Sequence, residues 1–312
     1  MGMKDLRNRI AGALYGVAIG DALGAPLEFM SRDEIARKHG RVTEMIGGGW
    51  LGVEPGEITD DTQMTLAVAE GIIENPKNPI QAIGKRFIEW ARSGPKDIGG
   101  TCSMSIRWAA FLGQNNEPDE EKWFEASKYT SEANGGRSGG NGALMRTVYP
   151  GLYYKELLMA VETAGAIAQM THWDKKSTEA CNLYTEMIHL ITESISREEA
   201  LQIIRDVLKD SEYSLKTKKQ LNPTGYVVDS FNCALHSIAA TGTFEDAIIE
   251  AANLGGDADT IAAIAGGLAG AYFGYDTIPE RWIRELAPEV RERLDRLAEA
   301  ALANRTMEQG RN

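Results

Sequence analysis

The sequence predicts an all-α fold, and three observations carry that prediction. Apolar residues recur at helical spacing along most of the chain, period-two alternation is almost absent, and no linker rich in Pro or Ser divides the pattern. No repeat of 20–50 residues is visible either, so one domain spanning residues 1–312, built of ten or more helices, is expected. With 43% hydrophobic and 25% charged residues, the chain can bury a sizeable core and is not disordered in the main.

The elements follow in order. Periodicity places helices over residues 4–22, 62–74, 101–113, 156–170, 178–193, 198–209, 244–253 and 260–273. Further apolar faces are made by Ile80, Ile83, Phe87 and Trp90, by Val227, Phe231, Leu235 and Ile238, and by Ile283, Leu286, Val290, Leu294 and Leu297. Arg41–Ile46 is the one weak strand candidate. Gly12, Gly16, Gly20 and Gly24 recur every four residues, and Gly266, Gly270 and Gly274 do the same near the other end of the chain. Glycine inside a helix costs roughly 1 kcal/mol relative to Ala, so both rows point to close helix packing, a geometry that can bring the neighbouring acidic residues together.

Thirty-three basic residues against 45 acidic ones give a net charge of −12, which disfavours nucleic-acid and anionic-membrane partners. The N-terminus carries no secretory signal, and the uncharged run Thr260–Tyr275, at 16 residues, is short of the ~20 that a membrane span needs. Cys102, Cys181 and Cys233 are scattered and read as reduced core thiols of a cytoplasmic protein. His39, His172, His189 and His236 have no zinc-type spacing.

Three acidic stretches stand at helix ends: Asp21 with Glu28, Thr59-Asp60-Asp61, and Asp257-Ala258-Asp259-Thr260. Each alone reads as a helix cap or a solvated acid. Together they offer only hard oxygen donors, suited to Mg²⁺ or Mn²⁺. If Glu28, Asp60, Asp61, Asp257 and Asp259 met within about 6 Å, each like-charged pair would cost roughly 3 kcal/mol at an effective dielectric of 20. Either the acids stay apart, or they form a binuclear metal site. A fourth stretch, Ser138-Gly139-Gly140-Asn141-Gly142-Ala143-Leu144-Met145-Arg146, reads first as a flexible loop before a helix. Its glycines also leave amides free to cradle a phosphate.

On Gly16–Phe29, Thr59–Met64, Gly140–Arg146 and Asn253–Gly267, in that order and spacing, the chain resembles the ADP-ribosylglycohydrolase family. Glu28-Phe29-Met30, Gly47–Leu51 and Tyr226–Asp229 look most like its members that act on dinitrogenase reductase. The resemblance implies an orthogonal helical bundle around two Mn²⁺ or Mg²⁺ ions, acting as a monomer on an ADP-ribosylated protein. It implies Thr59, Asp60, Asp61, Asp257, Asp259 and Thr260 as metal ligands, with Glu28 beside the metals. Asp97 would sit at the cleaved ribose, and Glu28 and Asp97 would be the catalytic acids. Gly140, Asn141, Gly142 and Ala143 would hold the diphosphate, His172 would touch the ligand, and Tyr226 would stack near adenine. Read locally, His172 is a hydrogen-bonded helix-end residue, Asp97 a turn acid and Tyr226 a core-edge aromatic. The sequence departs from the family at Gly100, where relatives commonly carry Asn. Other linkages, a small ADP-ribosyl metabolite, or a non-catalytic ADP-ribose binder are the alternative readings, and a degenerate relative would lack some of these acids.

Overall fold

The computed structural model describes residues 2–114, 117–193, 196–209 and 211–307. Fifteen α-helices follow in chain order among them: α1 (Met3–Gly24), α2 (Arg32–Lys38), α3 (Asp60–Glu74), α4 (Ile80–Arg92), α5 (Gly100–Gly113), α6 (Glu120–Ala133), α7 (Val148–Tyr153), α8 (Leu157–Gln169), α9 (Lys175–Glu193), α10 (Arg197–Leu208), α11 (Val227–Ala239), α12 (Phe244–Ala252), α13 (Ala258–Phe273), α14 (Glu280–Glu285) and α15 (Pro288–Thr306). Only isolated bridges, and no strand, occur among the described residues.

The glycine rows form the centre. Helices α1 and α13 lie antiparallel with their backbones in contact. A Cβ on Gly16 would stand 2.0 Å from the Gly266 carbonyl oxygen, and one on Gly20 2.0 Å from that of Ala262. One on Gly270 would stand 1.9 Å from the Gly12 oxygen. Such spacing excludes even alanine, which explains a residue otherwise unfavourable within helices. The register places the C-terminus of α1 beside the N-terminus of α13, and so brings two of the acidic stretches together. The third arrives with α3, which packs against α1 and α13. Around this pair, α8 lies on α9, α5 on α6 and α3 on α4. Residues Met3–Leu27 are long and apolar enough to cross a membrane, but their most apolar window is wholly buried inside the protein.

Several expectations change. Arg41–Ile46 is not a strand. Val42 and Met45 are buried, and the Asn253 side-chain amide donates to Val42 O at 2.8 Å and accepts from Val42 N–H at 2.9 Å, doing the work of a strand partner. The face from Ile283 to Leu297 belongs to two helices, broken at Leu286 and Ala287 before Pro288, which opens α15 at a position that needs no amide donor. The loop before residue 144 leads, as expected, into helix: a 3₁₀ turn, Leu144–Arg146, and then the six-residue α7.

Candidate active site

The acidic helix ends are not ordinary caps. Thr59 and Asp257 occupy the N-cap positions of α3 and α13, yet neither makes a side-chain cap bond. Ser31, Asp119, Ser196 and Thr243, at other helix starts, all do. At α3 the missing cap comes from another helix. Fully buried Asp21, on α1, accepts the Thr59 N–H at 3.0 Å, the Thr59 hydroxyl at 2.7 Å, the Thr62 N–H at 3.1 Å and the Thr62 hydroxyl. Asp21 thus fixes the start of α3 against α1 and frees Asp60 and Asp61 from capping. Sequence reading passed over this role, because it exists only once the two helix ends are neighbours.

Glu28, Asp257 and Asp259 offer carboxylate oxygens within 4.8 Å of one another. Thr260 donates its hydroxyl to Asp61 at 3.3 Å, tying the third stretch to the second. One oxygen of Asp61 is buried without any hydrogen-bond partner. Burial, then mutual charge, pushes Asp60, Asp61 and Asp259 well above the usual carboxylate range. Glu28 rises to about 7, chiefly by burial, opposed by a hydrogen bond from the Trp50 indole N–H. Carboxyls this close and this buried repel one another, which favours their protonated forms unless cations are present. Hard oxygen donors, an orphaned buried oxygen and unrelieved negative charge are what a divalent-cation site requires. The residues present fit such ions.

These acids floor a cavity of about 590 Å³, within the range of small-molecule sites. Glu28, Asp60, Asp257, Asp259 and Thr260 line it, with half-buried Asp97 on the wall before α5. Burial raises the Asp97 carboxyl, and the Ile98 amide partly offsets this. Gly140, Asn141 and Gly142 form the opposite wall, whereas Ala143 is wholly buried behind them. Among the described residues, Asn141 N–H donates to Gly225 O at 3.0 Å, while the Gly142 and Ala143 amides find no acceptor. The Asn141 side chain donates to Asp257 at 2.6 Å and to Ser230 at 2.9 Å, joining this wall to the acids.

His172 lines the cavity beside the loop, though its side chain is almost wholly buried. Its Nε2 would meet a Cβ on Gly140 at 3.2 Å, and burial together with the Arg146 charge lowers its pKa to about 3, so the ring is neutral. Arg146 is also buried, not a cation offered to the ligand. It donates to Gly142 O at 2.9 Å and to the Thr171 hydroxyl at 2.7 Å, and so anchors the loop from below. Tyr226 starts α11, stands 40% exposed outside the cavity lining, and has Lys176 Nζ 5.7 Å from its ring. Pro223, Thr224 and Gly225, just before α11, complete the wall.

A shared backbone seam, with an acidic floor at one end facing a glycine wall, defines a class of enzyme. The ADP-ribosylglycohydrolase family model matches residues 3–312, and the chain belongs to that family of glycohydrolases. Among individual proteins, it is 34% identical to the ADP-ribosyl-[dinitrogen reductase] glycohydrolase of Rhodospirillum rubrum, over 96% of this chain and 97% of that one. It is 31% identical to the ADP-ribosylarginine hydrolase Tri1 of Serratia proteamaculans, covering 94% of this chain and 78% of the relative. A solved structure titled ADP-ribosylglycohydrolase-related protein complex superposes with a TM-score of 0.80 at 28% identity, over 97% of this chain and all of the other.

Proposed function

We propose that this protein, acting as a single domain, hydrolyses the N-glycosidic bond between ADP-ribose and a modified protein arginine. ADP-ribosylated dinitrogenase reductase is the target to which the Rhodospirillum relative's name points. The observation that carries the reading is the meeting of Glu28, Asp257 and Asp259 at one end of the α1–α13 seam, with Asp60 and Asp61 beside them. The relatives named for arginine-linked ADP-ribose support the linkage.

Thr59, Asp60, Asp61, Asp257, Asp259 and Thr260 are the residues that would hold two Mn²⁺ or Mg²⁺ ions, which supply Lewis-acid charge at the ribose hydroxyls and the attacking water. The chain's own groups do the rest. Hydrolysis breaks the bond from the distal ribose C1 to the guanidine nitrogen, whose electron pair leaves with the nitrogen, and joins C1 to the water oxygen. Glu28, on the cavity floor beside the proposed ligands, can take the water's proton and return it to the departing guanidine. Asp97 faces the cationic sugar that develops. The Gly140–Ala143 wall receives the diphosphate on the Gly142 and Ala143 amides, which find no acceptor among the described residues.

The test is release of ADP-ribose from arginine-linked and serine-linked peptides, with chelator and after Mn²⁺ is restored. Release from the arginine linkage alone, abolished by chelation, is expected. Full activity in chelator, or release from serine alone, would overturn the reading. Asp97→Ala should keep the metal content of the parent and lower turnover by about 100-fold or more. Undiminished turnover removes Asp97 from the chemistry.

A further inference from the structure

Phe29 adopts a φ of +61°, in the left-handed region that L side chains enter only at a steric cost. Two hydrogen bonds hold it there, from Phe29 N–H to Gly256 O at 2.7 Å and from Gly256 N–H to Met30 O at 2.8 Å. Burial offers no compensation, since the residue is 69% exposed. The strained ring stays exposed at the cavity lining, and strain of this kind gathers where ligands bind.

Its surroundings indicate which ligand. The ring lies on Trp50, centroids 5.3 Å apart, and Trp50 is itself 53% exposed while its indole N–H donates to Glu28. The loop bearing Trp50 is closed by the Gly48–Val53 bridge and pressed onto the chain before Glu28, since a Cβ on Gly49 would come within 2.8 Å of Pro26 Cα. Two exposed aromatic rings and a carboxylate suit a planar cation and repel a phosphate. Phe29 also borders a second hollow of mixed charge, with Glu34, Arg37 and Lys38, whereas the main cavity is lined by carboxylates with no Lys or Arg among the described residues, which favours the cation there.

We propose that Phe29 and Trp50 form an aromatic shelf for the guanidinium of the departing arginine, with Glu28 as its charge partner. This rests on the arginine-linked reading above. The shelf makes the enzyme select the leaving group, in addition to the ADP-ribose, and gives a hydroxyl-linked substrate no comparable hold. Trp50 is in addition a positioning residue, since its N–H orients the Glu28 carboxylate.

Phe29→Gly separates the ring from its backbone strain. It should melt no lower than the parent, because glycine accepts this φ, yet raise KM for an arginine-linked ADP-ribosyl peptide by about tenfold, with inhibition by free ADP-ribose unchanged. Trp50→Phe keeps an aromatic face and loses the N–H, so kcat should fall while KM moves little. Equal weakening of the peptide and of free ADP-ribose by Phe29→Gly, or no effect on either, overturns the shelf. Agmatine, a bare guanidinium probe, titrated into the ADP-ribose-bound protein gives a readout independent of turnover. Agmatine binding that weakens in Phe29→Gly supports the shelf even if the parent fails to cleave the arginine linkage, a failure that would sink the reading above. Agmatine binding equally to parent and variant overturns it.

Discussion

At the scale of single residues, Asp61 and Asp21 have opposite duties. Asp61 is 1% exposed, keeps one oxygen without a donor and has a strongly raised pKa, so its charge is a burden to the metal-free fold. Asp61→Asn should therefore melt at or above the parent in chelator, while activity with Mn²⁺ falls by more than about 100-fold, the upper range for losing even an outer partner of a metal. A variant that stays active would show that Asp61 holds no ion. Asp21 is buried too, but its oxygens are taken up by Thr59 and Thr62. Asp21→Ala strands those donors, each costing about 1–3 kcal/mol when buried, so chemical denaturation should reveal a loss of at least about 3 kcal/mol. A loss below 1 kcal/mol would mean that α3 does not depend on this cap. The chemistry of the acids was legible in the sequence because residue type alone sets donor hardness. Asp21's task was not, since an acid that caps a different helix leaves no local mark. Trp50 was equally hidden: 22 residues separate it from the Glu28 it holds.

Among the elements, the α1–α13 seam admits a direct test. Gly16→Ala puts a methyl group 2.0 Å from the Gly266 carbonyl oxygen, and backbone cannot step aside as a flexible side chain can. The helices must part, at a cost of about 3 kcal/mol, the upper range for overpacking. Because the seam sets the approach of Glu28 to Asp259, Mn²⁺ affinity should fall with stability, as calorimetry would record. Unchanged affinity in a destabilised variant would mean that the seam does not position the acids. The four-residue glycine spacing made these helices readable from the sequence. Helix α6 was not readable, because its buried face is Trp123, Ala126, Ser127 and Thr130, which is too polar to register as an apolar stripe. Helix α2 buries only Ile35, and its signal was the Ser31–Glu34 capping box. Helix α7 is buried all round, so it has no period to detect.

Over the whole molecule, a net charge of −12 surrounds a buried acid cluster, and pH acts on both. Glu28 rises from an ordinary 4.5 to about 7 in the folded state, so its contribution is complete below pH 4.5 and lost as pH climbs through 7. Asp60, Asp61 and Asp259 shift in the same direction. His172 opposes them: lowered from 6.5 to about 3, it contributes fully above 6.5 and loses that contribution as pH falls toward 3. Asp21, Asp97 and Asp257 are raised as well, and together these carboxyls outweigh the lowered imidazoles of His172 and His189. The chelated protein should thus melt lower at pH 8 than at pH 5, by roughly 5 °C, and Mn²⁺ should restore more at pH 8, where it competes with fewer protons. A chelated protein most stable at pH 8 would contradict the burial of uncompensated carboxylates.

The seam also sets when the centre can exist. Gly16 and Gly266 touch across 250 positions of chain. At ~5–20 residues per second, a ribosome needs on the order of 10–50 s to make that stretch. Throughout that interval α1 has emerged while α13 is unmade, and Glu28 has neither Asp257 nor Asp259 beside it. A nascent chain therefore cannot assemble this acidic site early and fold around an ion. Any cation the site takes would arrive after the two ends of the chain have found each other.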